Sequence, residues 1–324
     1  MSASRSTLLP GVAFYTATDA RHFVGAAGLV NSLRLTGHDQ RIVVTDIGMT
    51  EAQRHLMEGA TELLDGGEIA HGVLAKPFGP LTRPAEVMVV LDADVLVLRS
   101  LDALIGEARS GKLVFFENDD PTRFFTEWSA MGTPLRRMPY VIAGHYLGPG
   151  PELIELLARQ VGFQEQLDHR ATHFGGGDES DPYYFADQDI LNGLLMTVVP
   201  QDTQVRIARE LSPVWPFTDV VYRGGLDCVT RDGTVPFLLH HILRKPWLAS
   251  LRPNPYIDVL RYVLHHPDAP IALDPAMLPL RLRDSGLYRV DRARASWQAA
   301  LSRTFRGRLG IRRRLARRRR AQTG

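Results

Sequence analysis

The sequence predicts an α/β fold built on a mostly parallel sheet flanked by helices, and two observations support this fold class. Stretches with strand character alternate with stretches of helical character over residues 11–53, and this order implies parallel strands joined by right-handed crossovers. Residues 89–98 then form an apolar run that is interrupted only by Asp92 and Asp94. In open α/β sheets, ligands collect beyond the carboxyl ends of the strands, which is where these two carboxylates fall.

The first elements follow from local signals. Residues 11–16 have the composition of a strand, and an apolar pattern typical of a helix runs over residues 23–35. Gly37 then occupies the position of a C-capping glycine. Residues 42–44 form a second predicted strand, and the capping-box spacing of residues 50–53 starts a second helix.

The later elements have weaker signals. Residues 87–91 and 113–116 are predicted strands, and residues 143–148 are a short strand before a helix over residues 151–161. After residue 120 the pattern is less regular because prolines interrupt it. The Gly-Gly-Gly segment at residues 175–177 lacks the lysine and serine of a phosphate-binding loop. We expect a flexible linker there, with a mobile substrate lid as the alternative.

Length and composition exclude several classes of protein. A chain of 324 residues with 44% hydrophobic and 23% charged residues is ordinary for a globular protein, and it can form one large α/β domain or two smaller ones. No run approaches the roughly 18 to 20 apolar residues that span a bilayer, and residues 1–10 lack the apolar core of a signal peptide. The single cysteine, Cys228, excludes an intrachain disulfide and a cysteine zinc cluster. We therefore expect a cytoplasmic location.

Positive charge is concentrated at the C-terminus. Residues 301–324 contain ten arginines and no acidic residue, and the formal net charge of the whole chain is +2. Residues 1–300 therefore carry a formal charge of −8. The sequence predicts an acidic body with a strongly basic tail.

Asp92 and Asp94 are the first candidate functional residues. Burying an ionised carboxylate without a partner costs several kcal/mol, so two of them at the end of an apolar strand require a partner. Oxygen ligands suit a hard divalent cation, which predicts a metal site. An aspartate-containing turn that simply ends the strand is the alternative.

Three segments taken together resemble a known family. They are residues 89–98 with Asp92-Ala93-Asp94, residues 185–195 with Asp187-Gln188-Asp189, and residues 237–247 with two histidines before Lys245-Pro246-Trp247. In this order they resemble the Asp-x-Asp, Asp-Gln-Asp and His…Lys-Pro-Trp motifs of family-8 glycosyltransferases. The resemblance covers residues 11–250 and implies a GT-A (Rossmann-like) fold, a nucleotide-sugar donor and retention of anomeric configuration. We expect a glycosyltransferase domain over residues 1–265 and a C-terminal extension over residues 266–324.

The resemblance implies that Asp92, Asp94 and a histidine hold Mn²⁺ or Mg²⁺, and that Ala93 between the carboxylates contacts the donor. An imidazole ligand added to carboxylates favours Mn²⁺. In the family the ligand histidine lies six residues before the lysine, but that position is a leucine here, and His240 and His241 follow it. A one-residue deletion in the loop would restore His240 to this role. We therefore predict His240 and keep His241 as the alternative.

The same resemblance assigns the other site residues. Lys245 would contact a donor phosphate as a point charge. Asp187 and Gln188 would bind the donor sugar near its anomeric carbon, with helix capping as the alternative role of Asp187. Ala17 and Asp19 match the family's base-binding segment, where Asp19 would accept a hydrogen bond from the uracil imide of a uridine nucleotide.

Several positions depart from the family. The Asn-Tyr pair that follows its base-binding aspartate is Arg21-His22 here, and the Asn before its mid-chain glycine is Ile142. These changes predict altered contacts to the base, ribose and sugar. Lys76 and Arg83 are both candidates for the basic residue that clamps the donor upstream of the Asp-x-Asp motif.

These assignments predict a metal-dependent glycosyltransferase that moves a hexose from a nucleotide sugar, expected to be a UDP-hexose, to a glycan or glycolipid acceptor. The sequence offers no dedicated nucleophile, so we expect a front-face displacement guided by the leaving phosphate. The alternative is a degenerate GT-A domain that binds a nucleotide sugar without catalysis. A glycosidase would need neither a metal nor a phosphate-binding lysine. We expect no nucleic-acid partner, because the body is acidic and the tail lacks interleaved aromatic residues.

The basic tail indicates a membrane surface as a partner. Four apolar residues recur every four positions and would form a narrow stripe on an arginine-rich helix: Trp297, Leu301, Phe305 and Leu309. A basic amphipathic helix lies at an anionic membrane surface. We therefore expect residues 301–324 to hold the protein at the inner face of the plasma membrane, near a lipid- or envelope-linked acceptor. A solvated, unstructured tail is the alternative.

Overall fold

The structure is a computed structural model that describes residues 8–67, 72–242, 245–248, 254–279, 282–283 and 290. Its strands are β1 (Leu9–Thr18), β2 (Arg41–Asp46), β3 (Glu62–Asp65), β4 (Ala85–Leu91), β5 (Val95–Val97), β6 (Leu113–Glu117), β7 (Val141–Pro149), β8 (Gln204–Ile207), β9 (Val220–Gly224), β10 (Asp227–Thr230) and β11 (Leu238–His240). Its α-helices are α1 (Phe23–Leu35), α2 (Glu51–Glu58), α3 (Gly72–Thr82), α4 (Asp102–Arg109), α5 (Gly150–Gln164), α6 (Asp187–Thr197) and α7 (Pro255–His265). The predicted basic tail lies outside the described residues.

A seven-stranded sheet forms the centre of the described structure, in the order β3-β2-β1-β4-β7-β6-β8. Strand β1 pairs in parallel with β2 and β4, β2 pairs in parallel with β3, and β6 pairs in parallel with β8. Strand β7 runs antiparallel to both of its neighbours, β4 and β6. Two antiparallel ribbons, β9–β10 and β5–β11, lie outside this sheet. The predicted α/β class with a mostly parallel sheet is confirmed.

The N-terminal helices form where their local signals lie. Helix α1 has the predicted bounds and is followed by Gly37, whose φ is +85°. Gly37 donates its N–H to the carbonyl of Arg34 at 3.1 Å, and His38 donates to the carbonyl of Leu33 at 3.0 Å. This pair of bonds is the Schellman arrangement, which requires a left-handed residue after the helix. Helix α2 begins at the predicted capping box, in which Thr50 caps the first turn.

Two apolar clusters cover the two faces of the sheet. Side chains alternate along β4, so Val87, Val89 and Leu91 belong to one cluster while Met88 and Val90 belong to the other. Residues of α1, α4 and α7 complete the first cluster, and residues of α5 and α6 complete the second. Full burial of one such aliphatic side chain stabilises the fold by about 1.5–3 kcal/mol. Packing on both faces of the sheet therefore fixes the carboxyl end of β4 in place.

The Gly-Gly-Gly segment forms a compact turn in place of the expected linker. The carbonyl of Thr172 accepts the N–H of Gly175 at 3.0 Å and that of Gly177 at 2.9 Å. A Cβ at Gly177 would overlap the backbone of Ala171, and Gly176 has a φ of +81°. Close packing and a left-handed backbone therefore explain why this turn uses glycine.

The described residues after α7 pack on the same core as the strands. The side chain of Asn31 in α1 donates to the carbonyl of Ile271 and accepts its N–H, each at 3.0 Å. Leu273 and Leu278 are buried in the first cluster. The division into two units at residue 265 stays a prediction. Among the described helices, none has the length and apolar character that crossing a bilayer requires.

Candidate functional site

Asp92 and Asp94 lie on a tight turn between β4 and β5. The backbone N–H of Asp92 donates to the carbonyl of Gly144 on β7 at 2.7 Å, and the N–H of Val95 donates to the carbonyl of Asp92 at 3.0 Å. Strand β5 then leaves the central sheet and pairs with β11. The two apolar flanks of the motif therefore belong to different strands, and the carboxylates lie where the chain changes direction.

His240 lies beside the two carboxylates. It is the last residue of β11 and pairs with Val95 of β5. Its Nε2 lies 3.1 Å from Asp94 Oδ1 and 3.7 Å from Asp92 Oδ2. One ligand atom from each of the three side chains lies within 4.8 Å of the others. The His240 side chain is 5% exposed and that of Asp92 is 29% exposed, so this cluster opens to solvent at Asp92.

Gly144 makes room for the imidazole of His240. A Cβ on Gly144 would lie 2.8 Å from His240 Nδ1 and 3.0 Å from Asp92 Oδ2. Both distances are shorter than an ordinary van der Waals contact. The glycine on β7 therefore allows the histidine and the carboxylate to approach each other across the edge of the sheet.

His241 lies on the opposite side of its strand, because successive side chains along a strand point to opposite faces. Its ring packs against Tyr256 and Phe217, with centroids 5.0 and 5.8 Å away. Burial, together with the charge of Lys245, lowers the pKa of His241 to about 4. Of the two histidines that the sequence left open, His240 is the one beside the carboxylates.

Two lysines form ion pairs with the acidic residues of the site. Lys76 of α3 places its Nζ 2.8 Å from Asp92 Oδ1 and 3.1 Å from Asp187 Oδ2. Lys245 forms an ion pair with Asp94. The site therefore combines three carboxylates with two ammonium groups from distant parts of the chain.

The pKa values of these groups follow from burial and from the neighbouring charges. Burial would lower the pKa of Lys76, but Asp187 and Asp92 outweigh it and raise this pKa above its usual value. Burial would raise the pKa of Asp94, but His240 and then Lys245 hold it well below its usual value. Lys76 is therefore protonated and Asp94 is ionised at neutral pH.

A cleft of about 450 Å³ opens beside the carboxylates. The predicted site residues on its wall are Ala17, Asp19, Asp92, Ala93, Asp94, Asp187 and Lys245. Lys76 also lines the cleft, whereas Arg83, the other candidate clamp, lies 2.9 Å from Glu62 in an exposed ion pair. The fold therefore brings the predicted base-binding segment and the Asp-x-Asp, Asp-Gln-Asp and Lys-Pro-Trp segments to one cavity.

Solved glycosyltransferase structures resemble this architecture. The bifunctional glycosyltransferase WbbM matches with a TM-score of 0.53 and 13% identity, over 82% of this chain and 51% of that chain. The chain has a GT-A-like fold. The galactosyltransferase LgtC, in complex with donor and acceptor sugar analogues, matches with a TM-score of 0.48 and 19% identity, over 72% of this chain and 89% of that chain.

A third solved structure is also similar to this chain. The glycosyltransferase GlyE of Streptococcus pneumoniae TIGR4 matches with a TM-score of 0.46 and 17% identity, over 73% of this chain and 57% of that chain. No protein-family model matches the sequence, and no curated protein matches it. The similarity to solved structures is therefore a similarity of fold.

Asp187 and Gln188 occupy different positions in the GT-A-like fold. Asp187 lines the cleft, and the residue that caps α6 is Ala186, which makes no side-chain capping bond. Gln188 Oε1 accepts the N–H of Ala143 at 3.2 Å, and its Nε2 donates to the hydroxyl of Tyr140 at 3.3 Å. Asp187 therefore faces the cleft, whereas Gln188 supports the backbone of β7 next to it.

Asp19 shapes the start of α1. Its Oδ1 accepts the backbone N–H groups of Arg21 at 3.0 Å and His22 at 2.8 Å, and it lies 2.7 Å from His22 Nδ1. These contacts hold the carboxylate at the wall of the cleft.

Ile142, which stands where the family that the sequence resembles has an asparagine, is buried in the first apolar cluster.

Sequence reasoning missed a buried network at Asp189. Arg123 forms two hydrogen bonds with the carboxylate of Asp189, at 2.7 and 2.8 Å, and the hydroxyl of Tyr140 donates to it at 2.6 Å. The N–H of Phe185 donates to the same carboxylate at 2.7 Å. This network fixes the start of α6 and therefore the position of Asp187. No local signal identifies Arg123, which lies 66 residues earlier.

Sequence reasoning also missed the role of Gly25 in α1. A Cβ at Gly25 would lie 2.6 Å from the carbonyl oxygen of Ala93 and 2.7 Å from Cζ2 of Trp247. The indole Nε1 of Trp247 donates to the carbonyl of Arg21 at 2.8 Å. Gly25 therefore lets the Asp-x-Asp turn and the Lys-Pro-Trp segment both pack against α1.

Proposed function

We propose that this protein is a metal-dependent glycosyltransferase that moves a hexose from a UDP-sugar to a glycan or glycolipid acceptor with retention of anomeric configuration. The observation that carries the proposal is the convergence of Asp92, Asp94 and His240 with Lys76 and Lys245. Ligands of open α/β folds bind at this edge of the sheet. The combination of metal-type ligands and cationic side chains suits a nucleoside diphosphate.

Asp92, Asp94 and His240 are the residues proposed to hold the metal ion. Carboxylate oxygens and an imidazole nitrogen within 4.8 Å of one another are a donor set that accepts a divalent first-row ion, and the imidazole favours Mn²⁺ over Mg²⁺. When bound, such an ion supplies a Lewis acid that offsets the charge on a departing nucleoside diphosphate.

The other residues of the cleft are proposed to bind the donor. Lys76 and Lys245 contact the diphosphate, since each presents a fixed positive charge beside the acidic cluster. Ala17 and Ala93 form small, uncharged parts of the wall that let the nucleotide approach the backbone. Asp19 accepts a hydrogen bond from the uracil imide through the oxygen that does not bind the start of α1.

Asp187 is proposed to contact the donor sugar, with Gln188 beside it. The ion pair between Asp187 and Lys76, at 3.1 Å, makes Asp187 a weak nucleophile and favours a front-face displacement. In this reaction the bond from the anomeric carbon to the diphosphate oxygen breaks, and the bond to the acceptor oxygen forms on the same face. The acceptor proton passes to the leaving diphosphate oxygen, so no protein base is required.

A degenerate domain that binds a nucleotide sugar without turnover is the second candidate. Two observations favour it: Ile142 is apolar and buried where the resembling family has an asparagine, and Lys76 and Lys245 already balance the charge of Asp92 and Asp94. Under this alternative the cleft binds the nucleotide, but the sugar is not activated.

Hydrolysis of UDP-glucose, UDP-galactose and UDP-N-acetylglucosamine without an acceptor tests the proposal. We expect slow hydrolysis that Mn²⁺ supports and EDTA abolishes. Asp92→Ala and Asp94→Ala should remove hydrolysis while circular dichroism stays unchanged, and the exposed Glu155→Ala is the matched control. Full activity in EDTA would contradict the metal site. Nucleotide binding without hydrolysis of any donor would favour the degenerate domain.

We also propose that residues 301–324 bind an anionic membrane surface from the cytoplasmic side and bring the cleft near a lipid- or envelope-linked acceptor. The proposal rests on the ten arginines of this segment and on the net charge of −8 in residues 1–300. An acidic body is repelled by anionic lipid, so the tail sets both attachment and orientation. The segment 266–324 is then an extension that attaches the domain to its site of action.

A further inference from the structure

A compact loop presents an exposed aromatic ring to the cleft. Phe174 is 62% exposed and lines the same cavity as Asp92 and Asp187. Phenylalanine is among the residues most often buried in folded proteins, whereas this ring is exposed on the wall of a cleft that several charged side chains line. Among the described lining residues, the remaining aromatic rings are imidazoles.

The backbone around Phe174 is held in place on both sides. Before it, the N–H of His173 donates to the carbonyl of Tyr184 at 2.9 Å, and the ring of His173 lies against Phe174 with centroids 3.8 Å apart. After it, Gly175 packs so closely that a Cβ would lie 2.6 Å from the Cα of Arg170. The fold of the loop therefore sets the backbone position of Phe174, and the ring packs against that of His173.

The loop is also tied to the residues that lead into Asp187. The ring of His173 contacts Tyr184 and Phe185, with centroids 5.7 and 6.1 Å away, and Phe185 lies two residues before Asp187. The N–H of Phe185 is anchored by the buried carboxylate of Asp189. Phe174 is therefore attached to the Asp187 side of the cleft, where the proposed function has the sugar.

We propose that Phe174 is a stacking platform for a hexose of the acceptor glycan, an assignment that rests on the proposed glycosyltransferase function. The diphosphate of a donor would find partners in Lys76, Lys245 and a metal ion held by the acidic cluster, whereas a phenyl ring offers none of these interactions. One face of a hexose ring carries only C–H groups, and these polarised hydrogens suit the negative face of an aromatic ring. An acceptor held there lies beside Asp187.

Saccharide binding by Phe174 variants tests this assignment. The probes are methyl β-galactoside, methyl α-glucoside and methyl α-mannoside, measured by saturation-transfer NMR on the full chain with UDP and Mn²⁺ present. Phe174→Leu keeps apolar volume but removes the aromatic face, and Phe174→Trp keeps the face. Val221→Ala, which trims an exposed apolar side chain on β9 (47% exposed), is the matched control.

We expect Phe174→Leu to raise the Kd of the tightest-binding saccharide by about five- to tenfold. This is the size of one aromatic stacking contact. Phe174→Trp should bind that probe as the wild type does, and Val221→Ala should have no effect. The Kd of UDP, measured by calorimetry on the same samples, should change less than the Kd of the saccharide in Phe174→Leu.

Three results would overturn the assignment. They are binding of none of the three saccharides to the wild type, equal saccharide affinity in Phe174→Leu and the wild type, and a loss of UDP affinity in Phe174→Leu as large as the loss of saccharide affinity. The last result would mean that the ring stacks on the nucleobase. Failure of the wild type to bind UDP with Mn²⁺ or to hydrolyse any UDP-sugar would instead contradict the proposed function, whatever the saccharide result.

Discussion

At the residue scale, the candidate metal site depends on which of two neighbouring histidines, at and just after the end of β11, faces the carboxylates. His240 pairs with Val95 and lies 3.1 Å from Asp94, whereas His241 packs against the ring of Tyr256. The two histidines are neighbours with the same chemistry in different surroundings. One is available to a cation and the other belongs to the core, so their substitutions should have different effects.

The first prediction compares His240→Ala with His241→Ala. His240→Ala should weaken Mn²⁺ binding by more than the roughly 10–100-fold that substitution of an outer-shell residue costs. His241→Ala should leave Mn²⁺ affinity nearly unchanged and lower the free energy of unfolding by about 2–5 kcal/mol, since it removes a buried ring. Calorimetric Mn²⁺ titration and chemical denaturation of both variants measure these effects. The reverse ranking would mean that the ligand is His241.

The second prediction concerns pH and His241. Burial lowers the pKa of His241 from 6.5 to about 4, so between these values the unfolded chain binds a proton that the folded chain does not. Stability is therefore lost as the pH falls from 6.5 to 4, by about 3 kcal/mol at most from this group. In His241→Phe this part of the loss should be absent. Denaturation curves at pH 7 and pH 4.5 measure it, and equal losses in both proteins would contradict the prediction.

At the element scale, the site is built where β4 ends and β7 passes beside it. The N–H of Asp92 is bound by Gly144 of β7 at 2.7 Å, and β11 supplies His240 through its pairing with β5. Three strands therefore meet at one point, and the room between them depends on a residue without a side chain. Residues 143–148 have only a weak strand signal in the sequence. They nevertheless determine how closely His240 approaches the carboxylates, because Gly144 lies among them.

The third prediction tests this crowding with Gly144→Ala. The added Cβ would lie 2.8 Å from His240 Nδ1, so the imidazole must move away from the carboxylates. We expect Mn²⁺ affinity to fall by roughly 10–100-fold while the far-ultraviolet circular dichroism spectrum stays unchanged. Gly106→Ala is the matched control, because a Cβ there meets nothing within 4 Å, and it should stabilise α4 by about 0.5–1 kcal/mol. Unchanged Mn²⁺ affinity in Gly144→Ala would show that His240 is not a ligand.

At the scale of the whole molecule, the formal charge is distributed unevenly along the chain. The central sheet, helices α1, α4 and α7 and the described residues after α7 contribute to one apolar cluster, and residues 1–300 carry a formal net charge of −8. Residues 301–324 carry ten arginines. Under the proposed function the cleft and the basic tail have separate tasks, so removing the tail should leave the cleft intact.

The fourth prediction separates these tasks by deleting residues 301–324. The truncated protein should no longer sediment with vesicles that contain anionic lipid, because each basic residue near such a surface contributes about 1 kcal/mol. Hydrolysis of a UDP-sugar should continue. Sedimentation with anionic and neutral vesicles, with and without the tail, measures the effect. Equal binding of the full chain to both kinds of vesicle, or to neither, would contradict a role of the tail at the membrane.

The sequence by itself determined the α/β class, the bounds of α1 and the three motif segments, because these depend on periodicity, capping residues and spacing within short stretches. It could not choose between His240 and His241, since that choice depends on how β11 pairs with β5, more than 140 residues earlier in the chain. Nor could it show that Lys76 lines the cleft, because the partner of Lys76, Asp187, lies 111 residues away. Only the tertiary structure decided these contacts and the exposure of Phe174, since each arises where distant segments pack together at one edge of the sheet.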